Sequence, residues 1–366
     1  MNEHELAILR QFCLDAEPAS CTPYGCGHIN RTYLVATAGG RCYILQKINH
    51  HTFRDVAGLM ENIELVTEHL RRKSPDPRSV LTLIRTKDGK SYLEADDGYW
   101  RVFRFVEDSI CLQQPESDAD FYESAVGFGT FQQLLSDFPA EKLHETIPNF
   151  HNTPDRYRAL LETLTRDPMH RAAQVQPEIE FALARQAEMA TLQNALDAGE
   201  LPLRVTHNDT KLNNVLFDAN TRKALCIIDL DTVMPGSALY DYGDSIRFGA
   251  ATAAEDEREL DKMEMSLERF RVFTRGYVRA CPGLTQKELE LLPLGAKVMT
   301  MECGVRFLTD HIDGDNYFSI HREGQNLDRA RTQFKLVADM ERKWDKMKEI
   351  VNEEVQNAKE NGSCCI

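Results

Sequence analysis

The chain contains no apolar run near the roughly 20 residues that a membrane span requires, so no membrane-spanning helix is expected in its 366 residues. It has no C-x-x-C pair, and its 10 cysteines are scattered. A disulfide framework belongs to shorter, secreted chains, so reduced thiols are expected. Positive charge is scarce: 43 Lys and Arg against 58 Asp and Glu give −15. That argues against nucleic acid, whose phosphates are met by an excess of cations. It leaves room for one nucleotide, whose charge a metal and a few local cations can meet. There is no fixed-period repeat and no low-complexity linker. Met1-Asn-Glu-His-Glu-Leu-Ala lacks the basic-then-apolar form of a signal peptide, and Ser363-Cys-Cys-Ile lacks the cysteine that prenylation needs. The expectation is a cytoplasmic monomer with no membrane partner.

What is present is concentrated at 205–231. Val205-Thr-His-Asn-Asp-Thr-Lys-Leu-Asn-Asn places His207, Asp209 and Asn214 in the order H-x-D-x-x-x-x-N. Asp229 follows at the end of the apolar run Cys226-Ile-Ile. Phosphoryl transfer of the kinase type needs a carboxylate to orient a hydroxyl, then an amide and a second carboxylate for magnesium. Asp209, Asn214 and Asp229 supply those groups in that order. Asp231 lies two further on in what reads as an extended run, so it would share a face with Asp229. It is either another metal ligand or a supporting carboxylate.

Periodicity gives the setting. Residues 4–16 read as a short helix, followed by a turn-rich loop from Cys21. Strands are expected at 31–37, 41–48, 78–87, 92–94 and 99–106, and an amphipathic helix at about 54–72. Beyond Glu107 the pattern is mainly helical: 118–136, 154–165, 178–197, 256–279, 285–312 and 325–358. Strand-like runs at 214–218 and 224–229 interrupt it. Length alone suggests two lobes. The division is 1–107, rich in strands, and 108–366, mostly helical.

Several segments resemble the protein-kinase-like superfamily, in its aminoglycoside and choline phosphotransferase branch, and within that branch the N-acetylhexosamine 1-kinases. They are Gly25-Cys-Gly-His-Ile-Asn-Arg-Thr-Tyr, Tyr43-Ile-Leu-Gln-Lys-Ile-Asn, Tyr99-Trp-Arg-Val-Phe, the 206–214 and 228–236 segments, Gly304-Val-Arg-Phe-Leu-Thr-Asp, and Tyr317-Phe-Ser-Ile-His-Arg-Glu-Gly-Gln-Asn-Leu-Asp. The resemblance spans about 24–335. It implies an α+β fold with a small antiparallel N-lobe and a larger helical C-lobe. It also implies ATP and Mg2+ as cofactors, and GlcNAc or GalNAc as the acceptor phosphorylated at the anomeric hydroxyl.

The resemblance gives further residues their expected roles. Asp209 would be the catalytic base and Lys211 would meet the transferred phosphate. His207 would brace the catalytic loop, as would Asp241, with Asp244 as its local rival. Gly25 and Gly27 would let backbone N–H groups approach the phosphates, though residue 30 is Asn where protein kinases carry the third glycine. His28 and Asn30 would face phosphate or sugar. Lys47 would meet the α- and β-phosphates and pair with Glu64, or else with Glu61. The backbone at Phe105 and Val106 would hold adenine. Arg306, in an apolar helical run, would reach the sugar or else pair with Glu302 one turn away. Asp315 and Tyr317 would lie nearby. Two rival readings keep part of this: a phosphotransferase for choline, an aminoglycoside or another small alcohol, and a pseudokinase.

Overall fold

The computed structural model describes residues 3–25 and 29–362. Gly27 and His28 therefore lie outside the described residues.

Helix α1 (Glu3–Leu9) precedes strands β1 (Pro18–Pro23), β2 (Arg31–Thr37) and β3 (Cys42–Ile48). Helix α2 (Val56–Lys73) follows, then β4 (Leu83–Ile84), β5 (Leu93–Ala95) and β6 (Gly98–Arg104). These six strands form one antiparallel sheet in the order β1-β2-β3-β6-β4, with β5 also on β6.

The register sorts the side chains onto two faces. Lys47 lies opposite Trp100, and Gln46 opposite Arg101. The Trp100 face carries Tyr43, Leu45 and Val102, which pack with Ile8, Leu9 and Phe12 around α1. The other face carries Ile48 and Phe103 toward α2. Asp55 caps α2 by accepting from the Gly58 N–H at 2.9 Å. Its buried face (Val56, Leu59, Met60, Ile63, Val66 and Leu70) shares one core with Phe131, Val205, Leu230 and Val233 of the second lobe. Each such fully buried side chain contributes about 1.5–3 kcal/mol, so α2 is fixed to both lobes. Asn62 of α2, 0% exposed, adds bonds to the His144 and Val233 carbonyls.

The second lobe begins with β7 (Ser109–Cys111) and α3 (Asp118–Leu134), then α4 (Thr153–Arg166) and the short helices α5 (Gln176–Leu183), α6 (Gln186–Met189) and α7 (Thr191–Asp197). Strands β8 (Arg204–Thr206), β9 (Val215–Asp218), β10 (Ala224–Ile227) and β11 (Met234–Gly236) carry the loops of interest. They pair as β10-β9-β7 and β11-β8. Helices α8 (Ala238–Gly249), α9 (Leu267–Ala280), α10 (Gln286–Asp313), α11 (Gln325–Arg342) and α12 (Trp344–Gly362) complete it. Nearly every residue of α8 is buried. Thr285 and Glu288 form a capping box at the start of α10. Among the described residues no helix is long and apolar enough to cross a membrane. The architecture is a kinase-like α+β fold, with an antiparallel N-lobe and a helical C-lobe.

Several expected elements differ, among them the 178–197 helix, which is divided into α5, α6 and α7. The first helix stops at Leu9, and only the start of the expected loop, Cys21–Pro23, belongs to β1, whose backbone pairs with β2. The 78–87 strand shrinks to Leu83–Ile84, because Asp76 and Ser79 close a turn ahead of it. The 256–279 helix starts only at Leu267, where Ser266 caps it; an Ala251 to Met265 bridge holds the preceding loop. The 325–358 helix breaks at Lys343, whose ammonium turns back to the Met265 carbonyl and Asp339.

Candidate active site

Strand β8 delivers the chain into a loop at 207–214 that is held from below by α8. Asp241 accepts from the backbone N–H groups of His207 (2.9 Å) and Asn208 (2.8 Å) and from Gln132 Nε2 (3.1 Å). Burial pushes this carboxyl up, against three donors that favour its charged form. Asp244 takes the Thr210 N–H, and the Thr210 hydroxyl donates to the Asp241 carbonyl. His207 is 0% exposed. Its Nε2 donates to the Ile228 carbonyl at 2.8 Å, which leaves Nδ1 to accept from the Asp209 N–H at 3.3 Å. The imidazole thus ties the 207–214 loop to the segment entering Asp229 and turns no nitrogen toward the cleft. Asn208, at φ 65°, hydrogen-bonds the Thr232 carbonyl.

Above this support, the Asp209 carboxylate lies between two donors. Lys211 Nζ is 3.0 Å from Oδ1, and Asn214 Nδ2 is 3.1 Å from Oδ2. Asp209 and Lys211 keep 30% and 39% of their side-chain surface accessible. Their crowded setting would by itself raise the carboxyl, but the Lys211 charge holds Asp209 below its ordinary range. Asp209 in turn pushes the ammonium well up. Asn214 also donates to the Asp209 carbonyl, and no donor among the described residues is hydrogen-bonded to its Oδ1.

Asp229 does not sit in an extended run. It is left-handed, at φ 59° and ψ 57°, and starts a single 3-10 turn over Leu230–Thr232. The expected shared strand face with Asp231 is therefore absent. Asp229 is exposed, while Asp231 turns inward and is 3% exposed. Crowding by protein, then the Asp231 and Asp209 carboxylates, push Asp229 up to about 7. A cation at this point relieves that repulsion. Among the described residues no three His, Cys, Asp or Glu side chains form a metal cage. The donor set that remains, one amide oxygen and one carboxylate, fits a hard divalent cation that takes its other oxygens from phosphate and water.

Of the two roles open to Asp231, metal ligand or supporting carboxylate, its side-chain partners favour the second. Its Oδ1 lies 2.6 Å from Nη1 of Arg101, and its Oδ2 accepts from Asn30 Nδ2 at 2.6 Å. Asn30 therefore points to the 229–232 turn rather than to open space for a sugar. Gly25 is left-handed at φ +79°, a conformation that favours glycine.

Lys47 is also corrected. It lies on the α1 face of the sheet, where its Nζ meets Asp97 at 2.6 Å and stands 5.5 Å from the Trp100 ring. His4 joins the same carboxylate. Although burial opposes it, bonding to Lys47, Trp100 and His4 brings Asp97 down to about 2. Glu64 pairs with Arg85 and Glu61 with His144, so neither meets Lys47. The cation on the α2 face is Arg101, a residue given no role in the sequence reading. A lone Arg alternating with Tyr99 and Phe103 in an apolar strand was the signal.

Past β6, the Phe105 N–H donates to the Cys42 carbonyl (3.1 Å), and the Val106 carbonyl accepts from the Ser109 hydroxyl (2.6 Å). Among the described residues nothing hydrogen-bonds the Val106 N–H or the Phe105 carbonyl.

On α10, Arg306 does not pair with Glu302. Its guanidinium lies among the rings of Phe150, Phe318 and Tyr317, at 5.3, 5.3 and 5.7 Å. Tyr317 is 64% exposed. Glu302 instead takes Thr153 Oγ1 and His151 Nδ1, and His151 Nε2 donates to the Asn208 carbonyl. The Arg306 region is thereby joined to the 207–214 loop through a histidine that sequence reasoning did not single out. Asp315 is corrected as well. Its carboxylate is spent on Arg171 and Asn326, which close the turn after α10.

A small antiparallel lobe, a helical lobe and an Asp209–Lys211–Asn214 cluster with Asp229 beside it form a kinase-like phosphotransferase architecture. A family model described as APH, the phosphotransferase enzyme family, matches residues 20–272. The chain belongs to that family. An aminoglycoside phosphotransferase from Alicyclobacillus acidocaldarius superposes with a TM-score of 0.60 at 11% identity, over 96% of each chain. A choline kinase from Cryptosporidium parvum gives 0.59 at 12% identity, over 96% of this chain and 98% of that one. Amicoumacin kinase, in complex with AMP-PNP and Ca2+, gives 0.57 at 15% identity, over 92% and 93%. At these identities the likeness is one of fold.

Proposed function

We propose that the chain transfers the γ-phosphoryl group of ATP, with Mg2+, to the anomeric hydroxyl of an N-acetylhexosamine, giving the sugar 1-phosphate and ADP. The carrying observation is the Asp209 carboxylate, fixed between Lys211 and Asn214 and still partly exposed. With a pKa below its ordinary range, Asp209 is a weak base. In a loose transition state its task is to orient the sugar hydroxyl in line with phosphorus and to take its proton late. Lys211 is placed to meet charge on the transferred group. Asn214 Oδ1 and the Asp229 carboxylate would hold the metal, which when bound offsets phosphate charge. His207 and Asp241 keep the loop in register, and the Phe105–Val106 backbone would receive adenine.

The sugar assignment rests on the resemblance to N-acetylhexosamine 1-kinases and on Arg306. An aromatic cluster near a cleft would suit a quaternary ammonium acceptor, and a choline kinase shares this fold. Here that cluster already surrounds a guanidinium, which disfavours a second cation and leaves N–H donors for hydroxyl or amide oxygens. ADP release with GlcNAc, GalNAc, choline and kanamycin separates the two readings. Turnover with either sugar and none with choline is expected; choline turnover with silent sugars reverses the assignment.

A further inference from the structure

Arg101 stands in the middle of β6, on the sheet face toward α2, and is 1% exposed. A guanidinium does not lose its charge in a protein, so burial requires a partner. Its Nε donates to Gln46 Oε1 at 2.9 Å, directly across the strand pair. The group lies 5.1 Å from the Phe103 ring and 3.9 Å from the Met60 sulfur of α2. Its countercharge is Asp231, 2.6 Å away and two residues beyond Asp229. The second oxygen of Asp231 is held by Asn30, whose own Oδ1 accepts from the Asn49 N–H at 2.9 Å. The Asp231 carboxylate is thus ion-paired with β6, its Oδ1 accepting no hydrogen bond, and is hydrogen-bonded by the segment entering β2.

We propose that Arg101 is a positioning residue for Asp229: by holding Asp231 against the sheet it fixes the 229–232 turn and keeps Asp231 off the metal. This rests on the phosphotransferase reading above. Asp229 has a left-handed backbone, which costs a non-glycine residue about 1–2 kcal/mol and persists only where surroundings impose it. The 3-10 turn that follows has no side-chain cap. The Asp231 anchor supplies the constraint from inside, while the Thr232 hydroxyl bond to the His207 carbonyl supplies it from the loop. Lys47, on the opposite face of the sheet, takes no part.

The test is the magnesium dependence of AMP-PNP binding, followed by calorimetry, with thermal unfolding in parallel. Supporting partners of a metal site typically change metal affinity by about 10–100-fold when lost. Arg101→Gln combined with Asp231→Asn leaves no buried charge unpaired, and it is expected to raise half-saturating Mg2+ by about tenfold or more. Arg101→Lys keeps the charge but cannot reach both Gln46 and Asp231, and it should shift the requirement by a smaller factor in the same direction. A purely structural role would lower the unfolding temperature and leave half-saturating Mg2+ unmoved. Wild-type magnesium dependence in folded Arg101→Lys, or in the folded double variant, overturns the proposal. Wild-type protein that binds no AMP-PNP at any Mg2+ concentration instead refutes the phosphotransferase reading.

Discussion

Replacing Asp241 by alanine probes the support of the 207–214 loop. Its carboxylate accepts two backbone N–H groups, from His207 and Asn208, in a site where Asp241 is 1% exposed. Gln132 is the third donor, but it keeps its bond to the Val205 carbonyl. The loss therefore strands two buried backbone donors, each costing about 1–3 kcal/mol. The sum is about 2–6 kcal/mol, a large share of the roughly 5–15 kcal/mol that holds a typical domain. Asp241→Asn retains one acceptor oxygen and should cost about half as much. Urea unfolding at pH 7 measures both. If the variants fold, kcat should fall far more than KM for ATP rises, because Asp209 moves while the Phe105–Val106 backbone does not. A destabilisation below about 1 kcal/mol for Asp241→Ala would refute the claim that these bonds carry the loop.

Three further outcomes are expected. Asp229→Ala should abolish magnesium-dependent turnover, whereas unaltered magnesium dependence in that variant would hand the ligand role back to Asp231. Lys47→Gln should change KM for ATP by less than about threefold and stability by less than about 1 kcal/mol, since its Asp97 pair is partly solvent-exposed; a tenfold rise in KM would contradict the face assignment. Asp218 is held down to about 2, chiefly by backbone and hydroxyl bonds from Thr221 and also by Arg78. Its folded pKa lies below the ordinary value of about 3.9, so its contribution is present above pH 4 and is lost as pH falls toward 2. The stability gap between wild type and Asp218→Asn should close over that window, and a gap that widens instead would contradict the assignment.

The two-lobed layout was legible because its signals are local. The apolar spacing of Val56, Leu59, Met60, Ile63, Val66 and Leu70 marks one helix face, and the Gly39-Gly40 turn joins two alternating strands. Asp209 and Asn214 were legible as candidates because loop motifs preserve order along the chain. Pairings across the sheet were not. Lys47 and Arg101 are both single cations in apolar strands, and only register decides which one faces α2. That register is set by β3 against β6, 55 residues apart for Gln46 and Arg101. The shared face of Asp229 and Asp231 failed for a different reason: a left-handed residue at Asp229 breaks the alternation on which it stood. Tyr317 beside Arg306 was expected from the resemblance, but Phe150 and Phe318 were illegible because they arrive from loops with no periodic signature.

The central claim is that Asp209 directs phosphoryl transfer from Mg-ATP to the anomeric oxygen of an N-acetylhexosamine. Phosphorus NMR of a reaction with GlcNAc or GalNAc, run with wild type and with Asp209→Ala, tests it most directly. The account predicts a phosphate signal coupled to the anomeric proton in the wild type, formed about 10²-fold or more slowly by Asp209→Ala. Phosphate on another position, no sugar phosphate at all, or equal rates from the two proteins would contradict it.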